Sequence, residues 1–393
     1  MAIDLKKIRT ETPGVKNRIH LNNAGAALMP SPVYQAIVDH LDLEMEIGGY
    51  EAHARAKLAC ERTYDAIAEL INCHRGEIAL VENATAGWLM AFHGMSFEKG
   101  DRILTAEAEY ASNVISYLQL AEKSGVIIDV VPSDNEGQID LAQLESRIDD
   151  KVKLISISHI PTNGGLINPA EEVGKIARAH NIPYLLDACQ SVGQIPIDVA
   201  AIGCDMLSAT GRKYLRGPRG TGLLYVRKEF MDCLEPPFLD LHSADWVASD
   251  RYELRPDARR FENWESYFAG QIALGVAVDY LLDIGIEEAS ERLCALAAKA
   301  RAHLSEISGI TVQDIGKRKG GMVTFSHDRI SSDELKEKLA DHHINVSTSS
   351  RGSTRFDMEK RALPTLVRAS FHYYNTEEEL SEFIEKVASI TNK

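Results

Sequence analysis

Two side chains open the reading. Lys213 stands in the run SATGRKYLRGPRGTG, and Asp187 closes the apolar run IPYLLD. A lysine amine can condense with an aldehyde, and a carboxylate at a strand end can keep a ring nitrogen protonated. Gln190 follows three residues after Asp187 and adds an amide. The segment Asn83-Ala84-Thr85-Ala86-Gly87 offers backbone N–H groups and a hydroxyl at a helix start, where a phosphate is stabilised. Tyr110, in AEYASN, offers a ring for stacking, and Arg368, in VRASFHYYNT, offers a fork that matches a carboxylate. Pyridoxal 5′-phosphate (PLP) asks for this set: an amine, an anion at the ring nitrogen, donors for a dianion, and an aromatic neighbour. Each residue alone has a plainer reading. A lone lysine is ordinarily a solvated charge, Asp187 could cap a turn, Thr85 could cap a helix and Arg368 could sit in a structural ion pair. Their conjunction favours the cofactor.

These residues need elements that bring them together. RILTA, VIIDVV, KLISIS, IPYLLD, MLSA and GLLYV are short apolar runs, several separated by helical stretches such as NPAEEVGKIARAHN. Buried strands alternating with helices imply an α/β fold with a mostly parallel sheet covered on both faces. Ligands bind such sheets where strands end and loops begin, which is where Asp187, Lys213 and Thr85 fall. After about residue 260 the pattern changes to a long helical stretch followed by MVTFS, INVST and VRASF. The expectation is a large domain over 20–260 and a small α+β domain over 261–393, with the arm 1–19 packed near the latter.

The chain resembles the class V aminotransferase family of fold-type I PLP-dependent enzymes, over roughly residues 20–385. That family includes cysteine desulfurases, selenocysteine lyases, cystine and cysteine-sulfoxide C–S lyases, and isopenicillin N epimerase. The resemblance rests on Asp187, Ala188, Gln190, Thr210, Lys213, Gly217, Pro218, Gly220 and Gly222, and on a closing set of Arg368, Ser370, Tyr374, Asn375, Thr376 and Glu379. It implies a mixed, mostly parallel sheet flanked by helices, PLP held by Lys213, and a homodimer. It further implies that Asp187 pairs with the pyridine nitrogen and Gln190 bonds the ring hydroxyl. Thr85, Thr210 and Arg212, with the amides of Ala84 and Ala86, would hold the phosphate, and Arg368 the substrate carboxylate. Thr162 or Asn163 would line the ring edge, and Asn23 would touch substrate.

Departures from the family bear on the reaction. Desulfurating relatives place a nucleophilic cysteine on a loop ahead of the final arginine. The matching stretch INVSTSSRGSTRFDMEKRALPTLVR contains none, and persulfide formation needs a thiolate. Tyr110 and Arg212 stand where many relatives carry histidine, and RRFENWES places Trp264 and Glu265 where relatives supply a phosphate-binding threonine to a partner. The favoured reaction is β-elimination, a C–S lyase acting on a cysteine conjugate or sulfoxide. Transamination is the alternative, then epimerisation. A silent binding scaffold would be expected to lack Lys213, Asp187 or Arg368.

Bulk properties narrow the partners. The 393 residues carry a net charge of −15, which disfavours nucleic acid and anionic membrane surfaces. No run reaches the ~18 apolar residues of a membrane span. MAIDLKKIRTETPG shows no leader pattern, so a cytoplasmic protein is expected. The six cysteines are scattered and read as reduced core thiols, Cys189 among them. No histidine has metal-ligand spacing, so no metal is expected. GPRGTG follows the lysine and reads as a tight turn, not a nucleotide cradle. Arg351 and Arg355 are candidates for a substrate entrance.

Overall fold

The computed structural model describes residues 3–392. A short strand β1 (Ile19–His20) precedes the strands of the main sheet: β2 (Ile78–Val81), β3 (Arg102–Ala106), β4 (Ile127–Val131), β5 (Val152–Ser158), β6 (Tyr184–Asp187), β7 (Met206–Thr210) and β8 (Gly222–Val226). These form a seven-stranded sheet in the order β2-β8-β7-β6-β5-β3-β4. Strands β3 to β7 pair in parallel, whereas β8 runs antiparallel to both β7 and β2. The sheet is therefore mixed and mostly parallel, as expected.

The two reversals at β8 matter for chemistry. They return β2 to the direction of the parallel strands. The start of the helix Ala84–His93 then opens on the same sheet edge as the ends of β5, β6 and β7. Successive side chains of a strand point to opposite faces. Leu186 and Leu207 accordingly join Ile67 and Val173 on one side, while Leu185 and Met206 join Trp88 and Phe92 on the other. With both faces covered, only the strand ends can meet a ligand.

A hairpin of β9 (Ala244–Ala248) and β10 (Arg251–Leu254) projects next, with Trp246 and Tyr252 exposed. The strands β11 (Ile310–Val312), β12 (Met322–His327), β14 (Ser347–Ser349) and β15 (Leu366–Ser370) form an antiparallel sheet in the order β11-β12-β15-β14. The two-residue strand β13 (Ile344–Asn345) pairs instead with β1. Ile19 and Leu21 thereby enter the core of this small sheet, alongside Leu296, Leu335 and Phe383. The helix Phe268–Ile284 packs back on the large part: Gly275 meets Thr63 closely, and Ala273 and Ala277 cluster with Val33. We propose that the chain divides near Gly285, later than the boundary expected at 260/261, because an apolar helix follows the face it buries. Among the described residues no single helix is long and apolar enough to cross a membrane.

One glycine fixes the corner between the sheet and the helix start. A Cβ at Gly222 would lie 2.7 Å from the Asn83 carbonyl carbon and 2.8 Å from the Ala209 oxygen. Neither atom belongs to a side chain that can rotate away. Gly222→Ala is expected to destabilise the protein by about 1–3 kcal/mol, typical of overpacking. A denaturation midpoint equal to wild type would contradict this account of the corner.

Candidate active site

A cavity of about 280 Å³ opens at the shared sheet edge, lined by Thr85, Tyr110, Asp187, Gln190 and Lys213 among others. Lys213 follows β7 on the loop that turns back into β8. That loop is braced by Arg216, a buried arginine in a left-handed backbone conformation (φ 61°). Its guanidinium donates to the Leu28 carbonyl at 2.8 Å, the Thr12 hydroxyl at 2.6 Å and the Tyr373 hydroxyl at 3.1 Å. These bonds offset a backbone shape that costs a non-glycine residue about 1 kcal/mol or more. Lys213 Nζ itself donates to Cys189 Sγ at 3.2 Å.

Asp187 sits at the end of β6, buried. Its Oδ1 accepts from the Cys189 N–H at 2.9 Å and its Oδ2 from Asn113 Nδ2 at 2.9 Å. Behind it lies a second carboxylate, Glu109, whose Oε1 accepts from Asn113 Nδ2 at 3.0 Å and Ser158 Oγ at 2.5 Å. Burial, and then the nearby charge of Asp187, pushes the Glu109 carboxyl up to about 7. The Cys189 thiol is also pushed up by burial, against the pull of Lys213.

At the helix start, Asn83 caps the first turn, its Oδ1 accepting from the Ala86 N–H at 2.9 Å. Ala86 therefore departs from the expectation: its amide is already used, and the residue lines a neighbouring depression instead. Ala84 and Thr85 line the cavity. Thr210 lines it too, with its hydroxyl resting on the Thr221 carbonyl at 3.3 Å. Arg212 completes this end; its Nη1 is buried with no partner among the described residues. Arg219 and Gly220 also reach the cavity.

At the other end, Arg368 stands on β15, buried, and its Nη1 donates to the Thr162 carbonyl at 3.0 Å and hydroxyl at 2.6 Å. Burial lowers its guanidinium from the ordinary arginine range, and among the described residues it has no carboxylate partner. Of the two neighbours, Thr162 lines the cavity. Asn163 turns away, donating to Asp357 Oδ2 at 2.6 Å. Asn23 also departs from the expectation. Its amide donates to the Ser370 carbonyl at 2.6 Å and its oxygen accepts from the Tyr374 hydroxyl, so it ties the N-terminal loop to β15 rather than facing the cavity. Arg351 donates to the Leu363 carbonyl at 3.2 Å, and Arg355 pairs with Glu359 on the surface.

Sequence reasoning missed four contributors. Glu109 and Asn113 lie four apart at the start of the helix Ala111–Ser124, a spacing that could have signalled a pair. Arg216 gave no signal, since its partners come from distant segments. Cys189 was read as core, yet it lines the cavity; Cys233 is exposed. A strand-end turn aims the first outward, and a short surface turn carries the second.

The residues present fit PLP. Gln190 Oε1, Arg212 Nη1 and Arg368 Nε are each buried without a partner among the described residues. Such groups are costly unless a ligand satisfies them. The amine and the carboxylate line the same cavity, with Arg212 in its wall and Arg368 bonded to Thr162, which also lines it.

Comparison with known proteins agrees. A family model described as Aminotransferase class-V matches residues 19–383. A probable cysteine desulfurase of Pyrococcus abyssi is 29% identical over 386 residues, covering 96% of this chain and 95% of its own. Another, of Methanothermobacter thermautotrophicus, is 30% identical and covers 98% of both chains. The apo structure of a cysteine desulfurase from Thermococcus onnurineus has a TM-score of 0.92 at 28% identity, covering 100% of this chain and 99% of that one. A cystine C–S lyase in complex with cysteine persulfide shares the fold, with a TM-score of 0.87 at 23% identity, covering 96% and 99%.

The raised Glu109 carboxyl predicts a pH signature. Its folded value of about 7 exceeds the ordinary 4.5, so between these pH values the native state binds more protons than the unfolded chain. The associated stability is fully present below about 4.5 and is lost as pH rises through 7. In cofactor-free protein, Glu109→Gln should remove this decline, worth roughly 3 kcal/mol between pH 4.5 and 8. Parallel unfolding curves for both proteins across that range would contradict it.

Proposed function

This chain belongs to the class-V aminotransferase family, whose members work with PLP, and from that premise we propose that it cleaves the C–S bond of cysteine or an S-substituted cysteine. The observation that carries the reading is Lys213 and Asp187 lining one cavity with Thr162, which holds the buried Arg368, itself unpaired with any carboxylate among the described residues. Lys213 would hold the cofactor covalently through its ε-amine. Asp187 would keep the ring nitrogen protonated, Tyr110 would stack on the ring, and Gln190 would bond the ring hydroxyl. Thr85, Thr210, Arg212 and the amide of Ala84 would bind the phosphate. When bound, PLP supplies an electron-accepting ring that stabilises negative charge at the substrate Cα.

The chain's own residues then divide the work. Arg368 and Thr162 would receive the substrate carboxylate, replacing the counter-charge that the guanidinium lacks. Lys213, displaced by the substrate amine, would take the Cα proton as general base. The sulfur on Cβ would leave with its bonding electron pair. Hydrolysis would then release pyruvate and ammonia beside the thiol product. Between Ser349 and Arg368 there is no thiol to take sulfur by direct attack, which favours elimination.

The names of the relatives favour a second reading, desulfuration, in which a protein thiol accepts the sulfur and alanine is released. Cys189 is the thiol that lines the cavity. The products separate the two. Pyruvate without alanine supports elimination, alanine with a protein persulfide supports desulfuration, and keto-acid formation with retained sulfur would indicate transamination. Racemised substrate would indicate epimerisation. Arg368→Gln should lower kcat/KM about 100-fold, the scale of a lost charge-assisted pair, chiefly through KM. A change below threefold would remove Arg368 from the binding role.

The same reading includes a homodimer in the cytoplasm. A wide depression of about 690 Å³ is lined by Leu41, Tyr50, Trp264 and Phe268, and Trp246 and Tyr252 stand exposed nearby in sequence on the hairpin. Leu41, Tyr50, Trp246, Tyr252 and Trp264 are exposed large hydrophobic side chains, which a second copy would cover. Sedimentation should give twice the chain mass of 43.4 kDa, and Trp264→Glu should shift it toward monomer. A wild-type monomer at micromolar concentration would contradict the dimer.

A further inference from the structure

Glu109 is a buried carboxylate without a cation. Its oxygens are filled by neutral donors: Oε1 by the Tyr110 N–H at 2.7 Å, Asn113 Nδ2 at 3.0 Å and Ser158 Oγ at 2.5 Å, and Oε2 by Thr105 Oγ1 at 3.1 Å. The titratable groups facing it are Asp187 at the end of β6, Tyr117 on the helix Ala111–Ser124 and Tyr184 at the start of β6. None supplies positive charge.

Asn113 turns this into a coupled device. Its amide nitrogen carries two hydrogens, one given to Glu109 Oε1 and the other to Asp187 Oδ2. The two carboxylates are therefore spanned by one amide that has no hydrogen left over. Asp187 is held from its other side by the Cys189 N–H, so its plane is fixed from both ends. Asp187 lines the cavity and Glu109 lies behind it, so a cation beside Asp187 would be attracted by both carboxylates when Glu109 is ionised.

We propose that Glu109 is a positioning residue for the cofactor's ring nitrogen: through Asn113 it fixes the Asp187 carboxylate and adds its own charge behind it, so the nitrogen keeps its proton to higher pH. This rests on the reading that PLP occupies the cavity with its nitrogen at Asp187. Coupling is reciprocal. A ring cation at Asp187 favours the anionic form of Glu109, so cofactor loading near pH 7 releases protons.

The test uses holoenzyme loaded with PLP carrying ¹⁵N in the ring. In wild type the nitrogen resonance should report a protonated ring across pH 6–9. In Glu109→Gln the apparent pKa of the nitrogen should fall by about one unit, a tenfold weaker hold on the proton. Proton release on loading, read with an indicator dye in weak buffer, should be smaller than in wild type. Asn113→Ala, which breaks the link while leaving the Glu109 charge in place, should also lower the nitrogen pKa, and the two effects should be non-additive in the double variant, as expected for coupled residues. Equal nitrogen titration in wild type and Glu109→Gln overturns the proposal. If Glu109→Gln does not fold, Asn113→Ala decides alone, and an unshifted nitrogen there overturns it. A wild type that takes up no PLP overturns the underlying reading as well, whereas loading with an unmoved nitrogen removes this inference only.

Discussion

Buried charge without a protein counter-charge is the constraint on which this molecule turns. Asp187 and Glu109 lie out of water and are satisfied by amides and hydroxyls alone. Arg368 is buried with only Thr162 as a partner on Nη1, and Arg212 has a buried nitrogen with no partner among the described residues. A sequence free to optimise stability would replace such groups by apolar residues. Their retention makes sense when a zwitterionic ligand supplies the missing charges: a ring cation at the carboxylates, a phosphate at one end and a carboxylate at the other.

The scaffold supplies the geometry cheaply. A parallel sheet buries both its faces, which leaves its edge as the place where polar groups can converge. The reversals at β8 bring a helix start, an acid-bearing strand end and the lysine loop to that edge from segments far apart in sequence. The small sheet contributes Arg368 from an interior strand, flanked by β12 and β14, so the guanidinium sits on rigid backbone. Asn23 and Arg216 tie the N-terminal loop to β15 and to the lysine loop.

What could be read from the sequence follows from this arrangement. The parallel strands were legible because a strand covered on both faces is a continuous apolar run. Lys213, Asp187 and Arg368 were legible because each is the residue type its chemistry demands, set in a recognisable local pattern. The errors came where one local choice competes with another. Ala86 lost its amide to the Asn83 cap, Asn163 turned to Asp357, and Asn23 became a brace. Glu109 and Asn113 escaped notice because an acid and an amide beside a helix start read as surface polarity; only the fold shows that they are buried against Asp187. The helix Phe268–Ile284 packs on the large part through Gly275, Ala273 and Ala277; periodicity reveals that a face is apolar, not which surface covers it.

The central claim is that the Lys213 amine is joined to PLP with Asp187 at the ring nitrogen. Borohydride reduction of PLP-saturated protein, followed by peptide mass analysis, tests it most directly. The account predicts a pyridoxyl-phosphate adduct on the peptide containing Lys213, absent in Lys213→Ala. An adduct on another lysine, or none in saturated wild-type protein, would contradict it.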